Sequence, residues 1–297
     1  LGALAAAVLA ACDNQAMTEP VRAEEPLAAV WSSNTTPPAS MVELGDMIFS
    51  DQNLSLRRNQ SCASCHDARF GFTAPSSTVN AHGAVMAGSV PTRFGNRRPP
   101  SAAYAAFSPV LFFDDADGAW VGGNFWDGRA TGARLGNPAA EQALGPFLNP
   151  VEMALPDAAC VVYRISQSRY AALWRASWGN SIGSINFPAA SRMAELCGRE
   201  GTTVPLSATD RQQLMKEYDR VGYSIAAFEA SSRVSPFNSK FDQVMRGTAR
   251  FTQDEMAGLA LYNGKANCAA CHPIDGQRAM LTDFTFDNLG VPANPEN

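Results

Sequence analysis

Cys62-Ala63-Ser64-Cys65-His66 decides the reading of this chain, because it returns near the other end as Cys268-Ala269-Ala270-Cys271-His272. C-x-x-C-H is the attachment signature of a c-type haem. Two thiols three positions apart reach the two vinyl groups on one edge of a porphyrin. The His that follows then places an imidazole nitrogen on the iron. A four-cysteine zinc site would pair its C-x-x-C units roughly 15–20 residues apart. Here the units stand far apart in the chain, and zinc gives no reason for a His at the same place in both. A thioredoxin-like redox pair calls for a βαβ setting, which is missing. The reading is two covalently bound haem c groups, with His66 and His272 as ligands to the haem irons.

Outward from the motifs, the flanking sequence repeats as well. Ser40-Met41-Val42-Glu43 has capping-box form and leads into Leu44-Gly45-Asp46-Met47-Ile48-Phe49. Thr252-Gln253-Asp254-Glu255 leads in the same way into Met256 to Tyr262. In each copy a Gly stands four residues before an aromatic, Gly45 with Phe49 and Gly258 with Tyr262, on one helix face. A Gly there lets a second helix come close. This resembles the N-terminal helix of class I cytochrome c domains.

Between the copies, residues 70–156 are rich in Gly and Pro and poor in helical period. Asp114-Asp115-Ala116-Asp117-Gly118 reads as a turn between Phe112-Phe113 and Ala119-Trp120-Val121, since the later ligands of a calcium loop are missing. Val161 to Ser177 suits a helix, and 178–206 reads as loop. Thr209-Asp210-Arg211-Gln212 opens a longer helix with Leu214, Tyr218, Val221, Ile225 and Phe228 along one face. The domain boundary is placed near residue 206. Pro292 and Pro295 spoil a closing helix after His272, so the chain is expected to lack its C-terminal end and one axial ligand with it.

The length of 297 residues suits about two domains, and the 46% apolar content suits a protein that buries a core. A net charge of −5 argues against a nucleic-acid partner and suits a redox partner with a basic rim. Leu1 to Ala11 is apolar, ends in small residues and is too short to span a bilayer. Leu9-Ala10-Ala11-Cys12 resembles a bacterial lipobox, with Cys12 as the lipidated residue. The chain opens on Leu1 with no basic segment before the apolar run, so its true start is expected to be missing as well. Residues 13–39, with Pro20, Pro26, Pro37 and Pro38, read as a flexible tether. Once Cys12 and the four motif cysteines are assigned, Cys160 and Cys197 remain. In an oxidising compartment they are expected to form a disulfide, the alternative being two buried thiols that never meet.

Residues 62–153 carry a family resemblance. After the first haem motif come His82-Gly83, Arg97-Arg98-Pro99-Pro100, Phe125-Trp126-Asp127-Gly128-Arg129, Glu141-Gln142-Ala143-Leu144-Gly145-Pro146 and Pro150-Val151-Glu152-Met153. Together they resemble the bacterial dihaem cytochrome c peroxidases, a superfamily that includes the MauG oxidases. Ile225 to Ala230 and Phe241-Asp242 continue the match into the second haem motif. The resemblance implies that the first haem reacts with peroxide and the second takes in electrons. It makes Trp126 the conduit between them. It makes Glu152 and Gln142 the distal-pocket pair, with Pro146 shaping that pocket. It also makes His82 a switchable ligand of the first haem iron in the resting state. Where the family places an Asn as a ligand to an interdomain calcium, this chain has Arg98, which puts calcium in doubt.

The sequence reading is therefore an all-α protein of two cytochrome c-like domains with long irregular loops, residues 40–205 and 206–297, preceded by a signal segment (1–12) and the tether. The expected activity is reduction of hydrogen peroxide with electrons from a small redox protein, a cytochrome c or a cupredoxin, in the periplasm and on a lipid anchor. The alternatives are a MauG-type oxidase acting on Trp or Tyr of a partner protein, and a dihaem electron carrier without turnover. A homodimer is left open.

Overall fold

The computed structural model describes residues 36–75, 85–274, 278–288 and 290. The positions expected for lipidation (Cys12) and for the switchable iron ligand (His82) lie outside the described residues. Helix α1 (Ala39–Phe49) precedes the short α2 (Cys62–Cys65), which carries the first haem motif. Helices α3 (Pro138–Leu148), α4 (Ala158–Ser166), α5 (Ala171–Trp178) and α6 (Ala190–Cys197) follow. The long α7 (Ala208–Ala230) comes next, then α8 (Lys240–Met245) and α9 (Gln253–Asn263). Strands β1 (Phe112–Asp114) and β2 (Ala119–Val121) pair antiparallel, Phe113 opposite Trp120. The expected turn at Asp114 to Gly118 is thus the tip of a hairpin, a small departure from an all-α chain. Asp114 caps it by accepting the Ala116 backbone N–H at 2.9 Å.

Helix α7 is the axis of the core. Its N-cap Ser207 accepts the Asp210 N–H, and its C-terminal half is buried nearly all round, from Val221 to Glu229. A helix apolar on every side must be wrapped, and α1 and α3 do the wrapping. Both crossings are tight. A Cβ on Gly45 of α1 would stand 1.9 Å from the Ser224 carbonyl oxygen, and one on Gly222 of α7 would stand 2.4 Å from that of Ala140 in α3. Leu44, Ile48, Phe49 and Phe228 fill the first crossing, and Phe147 and Tyr218 the second. Helix α7, which follows the boundary expected near residue 206, packs with α1 and α3.

Two buried carboxylates of this core are matched. Glu217 accepts from Trp174 Nε1, Ser181 Oγ, Gln213 Nε2 and Arg220. Asp157 caps α4 and takes the Val204 N–H and two bonds from Arg211. Cys160 of α4 and Cys197 of α6 are joined by a disulfide.

Several elements differ from the sequence reading. Helix α1 starts at Ala39 with no side-chain cap, so Ser40 lies inside it rather than at its cap. The helix expected over Val161 to Ser177 is two, α4 and α5, broken at Gln167 to Tyr170. The stretch read as loop, 178–206, contains α6, and the Gly- and Pro-rich stretch contains α3. At α9, Thr252 and Glu255 make both bonds of the capping box.

Candidate haem-binding active site

Ser61 builds the first motif. Its side chain and that of Ser64 exchange capping-box bonds, which closes α2 and sets Cys62 and Cys65 one turn apart on one side. His66 follows, its backbone N–H bonded to the Cys62 carbonyl at 2.9 Å. Its ring Nδ1 lies 3.0 Å from the Phe72 carbonyl oxygen. A carbonyl can only accept, so Nδ1 carries the proton and Nε2 keeps its lone pair for a metal. Burial holds the imidazole below its ordinary pKa, against the pull of the Phe72 and Pro100 carbonyls, so the ring is in the neutral form a metal ligand needs.

The second motif repeats this geometry. The His272 N–H meets the Cys268 carbonyl at 2.9 Å, and its Nδ1 lies 2.8 Å from the Leu281 carbonyl oxygen. Both carbonyls come from bulky residues in the left-handed region, Phe72 at φ 57° and Leu281 at φ 56°. Such conformations cost on the order of 1 kcal/mol or more and persist where the surroundings impose them. Here they turn a carbonyl onto a ligand ring, twice. Cys271 and His272 are exposed, in contrast to the first motif.

Cys62, Cys65 and His66 line one open cleft. Gln142, Pro146, Trp126 and Glu152 line it too. Of the residues the sequence placed along this stretch, Trp126, Gln142, Pro146 and Glu152 thus meet Cys62, Cys65 and His66 in one place, while His82 lies outside the described residues. Gln142 and Pro146 are a turn apart on α3. Glu152 follows on a loop fixed by three backbone bonds, Glu152 N–H to Asn149 O, Met153 N–H to Pro146 O and Ser89 N–H to Glu152 O. Asn149 Nδ2 donates to Glu152 Oε1 at 2.7 Å. Burial pushes the Glu152 carboxyl above its ordinary value, while Arg129 and Asn149 pull it back. Trp126 is 59% exposed, so it is not core filler, and its Nε1 donates to the Arg98 carbonyl at 2.8 Å. Asp127 beside it bonds Arg97 and Arg129. Burial alone would raise this carboxyl, but the two guanidinium groups hold it at about 2. Arg129 also lies 3.7 Å over the Phe125 ring.

The cleft fits a haem. Phe49, Phe125, Met153 and Ile225 give it apolar walls for a flat macrocycle, and Arg97, Arg98 and Arg129 offer cations to propionates. Gln60 Oε1 is a buried oxygen without a partner on the same lining. Burial, first, and nearby carboxylates hold Cys62 far above an ordinary thiol, and burial pushes Cys65 up to about 11. Among the described residues the four motif cysteines do not gather. The metal-type ligands that do are Cys271, Asp283 and Asp287.

Comparison with known proteins assigns the chain. The model of the di-haem cytochrome c peroxidase family matches residues 39–250. The chain belongs to the di-haem cytochrome c peroxidase family. It is 34% identical over 260 residues to the methylamine utilization protein MauG of Paracoccus denitrificans, covering 86% of this chain and 58% of that one. It is 28% identical over 267 residues to the cytochrome c551 peroxidase of Nitrosomonas europaea, covering 90% and 59%. Among solved structures, the diheme peroxidase BthA from Burkholderia thailandensis superposes with a TM-score of 0.64 at 30% identity, over 84% of this chain and 54% of that one. The chain thus spans somewhat over half the length of these relatives. The family is one of haem oxidoreductases, and its members imply two c-type haems.

The sequence reading missed three features of the site. The Phe72 and Leu281 carbonyls carry no signal in residue type. Glu229, buried on the cleft wall, read only as part of the family match. The segment after the second motif touches the Trp126 stretch, Gly122 N–H bonding the Phe284 carbonyl at 2.9 Å and the Phe286 ring lying where a Cβ on Gly128 would point.

Proposed function

We propose that this protein reduces hydrogen peroxide to water, with haem c on Cys62 and Cys65 as the reacting centre and haem c on Cys268 and Cys271 as the entry point for electrons from a small redox protein. The observation that supports this best is the meeting of Glu152, Gln142 and Trp126 with the first haem motif in one cleft. When bound through Cys62, Cys65 and His66, the haem would supply the iron and the electrons for breaking the O–O bond. Glu152 moves the proton. Its carboxylate takes it from the inner peroxide oxygen and returns it to the outer one, which leaves as water. Asn149 occupies Oε1 of Glu152 and so fixes which oxygen faces the substrate. Gln142, with donor and acceptor on one amide, orients the outer oxygen. Trp126 stands at the cleft edge, beside the strip that leads to His272. Two electrons and two protons from outside complete the balance to two waters.

A MauG-type oxidation of Trp or Tyr on a partner protein is the second reading, favoured by the 34% identity to a MauG protein. One set of measurements separates the readings. Glu152→Gln keeps size and loses the proton-shuttling carboxylate. Peroxide turnover should drop by about 10²-fold or more, with two acid-stable haems per chain as in the wild type. In the wild type, turnover should fall on the acid side above the pH of an ordinary carboxylate (about 4.3), because Glu152 must be ionised to accept the proton. Unchanged turnover in the variant refutes the role given to Glu152, and a wild type without peroxide turnover favours an electron carrier. A long-lived oxidised species formed by peroxide with both irons ferric selects the MauG-type reading.

A further inference from the structure

Two buried glutamates on α7 differ in a way that bears on function. Glu217 is fully buried and takes four side-chain donors. Glu229, at 3% exposure, has no hydrogen bond or ion pair to its carboxyl among the described residues, and Ser235 Oγ bonds only its backbone carbonyl. Its carboxyl oxygens are not among the fully enclosed unpartnered atoms, which fits their opening onto the cleft. Ile225, one turn earlier on the same cleft wall, shows that an apolar side chain serves as lining there. The unpartnered carboxyl faces the cleft beside Cys62, and after burial it is the largest influence on that thiol.

We propose that Glu229 is the redox-linked proton carrier of the first haem, its carboxylate taking up one proton as that haem takes up one electron and releasing it on oxidation. The balance is one electron to the iron and one proton to the carboxylate. An O–H bond forms on reduction and breaks on reoxidation, and the electron comes from a one-electron reductant. The cause is Coulombic. An electron added to the haem raises negative charge beside a buried carboxylate in a medium that screens poorly, and a proton removes the repulsion. Burial alone pushes Glu229 up to about 8, which brings its titration near neutral pH.

The charged and titratable groups around it leave this role open. Cys62 and Cys65 cease to titrate once they are thioethers. His66 holds its proton on the Phe72 carbonyl. Arg97, Arg98 and Arg129 line the same cleft, and Asp127 pairs with Arg97 and Arg129. On α1, Glu43 and Asp46 pair with Arg233 at the surface. Glu152 and the haem propionates remain as the other titrating acids, and variants separate them.

The inference rests on a haem in this cleft but not on the peroxide chemistry. The test is equilibrium spectroelectrochemistry of the haem-loaded full chain from pH 5 to 9, the first haem assigned by its loss in Cys62→Ala. In the wild type the midpoint should fall with rising pH, approaching a tenfold change in the reduction equilibrium per unit, 59 mV for one electron. Glu229→Gln should lose that slope, Glu229→Asp should keep it, and Glu152→Gln should keep it. A flat wild-type profile, or a wild-type slope in Glu229→Gln, overturns the proposal. If Glu229→Gln fails to load haem, infrared difference spectra of the wild type and Glu229→Asp decide. A protonated-carboxyl band that appears on reduction, moves in D₂O and shifts in Glu229→Asp supports the proposal, and its absence refutes it. Failure to find any haem on Cys62 and Cys65 would instead sink the cofactor reading.

Discussion

Gly45→Ala tests the packing on which the cleft depends. A methyl group there would stand 1.9 Å from the Ser224 carbonyl oxygen and 2.8 Å from Phe228 Cβ. The first obstacle is backbone and cannot rotate away. Helices α1 and α7 must therefore separate by roughly 1.5 Å before the methyl reaches van der Waals distance, and a gap of even 0.5–1 Å forfeits a quarter to a half of the dispersion attraction between facing atoms. Leu44, Ile48 and Phe49 on one side and Ile225 and Phe228 on the other all lie at this crossing. The better helix propensity of Ala returns about 1 kcal/mol, but overpacking a core costs about 1–3 kcal/mol and occasionally more. Because the separation loosens the whole crossing, the upper end applies, and a net loss of about 2–3 kcal/mol lowers the melting temperature by about 4–12 °C at 2–4 °C per kcal/mol for a domain of this size. The assay is thermal unfolding of the haem-loaded protein by far-UV circular dichroism. Gly258→Ala is the control. Its repeat position is the same, but among the described residues nothing lies within 4 Å of its Cβ site. In this chain it should be neutral or slightly stabilising. A Gly45→Ala protein that melts within about 2 °C of the wild type, or a Gly258→Ala protein that loses as much, would refute the assignment of Gly45 as the crossing point.

Arg211→Ala strands Asp157, whose carboxyl Arg211 bonds at 2.7 and 3.0 Å, and should cost about 1.5–3 kcal/mol in denaturant unfolding at neutral pH. Burial works to raise Asp157, but Arg211 and two backbone N–H groups win and hold it below its ordinary value. Its contribution is therefore complete above the unfolded carboxyl pKa of about 3.9 and is lost as pH falls below that, so the gap between wild type and variant should shrink in acid. For the proposed anchor, Cys12→Ser should release a membrane-associated protein into the soluble fraction, and a wild type already soluble would remove that reading.

What the sequence made legible was local. The haem motifs, the Thr252 cap and the amphipathic face of α7 rest on spacing within one or two turns, and each is present in the fold. Helix α3 was legible in part, since Asn137 caps it and Pro138 occupies its first turn, but the surrounding Gly and Pro hid the signal. Helix α6 has no side-chain cap to announce it. The repeat around Gly45 and Gly258 was read as one device used twice, yet only the first copy has a helix against its Gly among the described residues. A Gly in a helix states that close approach is allowed, and the partner comes from elsewhere in the chain. The same limit hid the left-handed backbone at Phe72 and Leu281, because bulky apolar residues give no local preference for it.

The site and the core share one element, and this ties stability to chemistry. Helix α7 takes α1 at Ser224 and α3 at Gly222, and beyond those crossings it presents Ile225 and Glu229 to the cleft. Helix α3 carries Gln142 and Pro146, and the Pro146 carbonyl fixes the loop of Glu152. Helix α1 ends on Phe49, whose ring centroid lies 6.3 Å from that of His66. Gln142 and Glu152, His66 and the Glu229 carboxyl are thus held by three helices that meet at two tight crossings. A change at either crossing moves Glu152 and His66 relative to each other. Gly45→Ala should therefore alter the spectrum of the first haem at temperatures well below its melting, while Arg211→Ala, which acts through Asp157 at the start of α4, should lower stability and leave that spectrum unchanged.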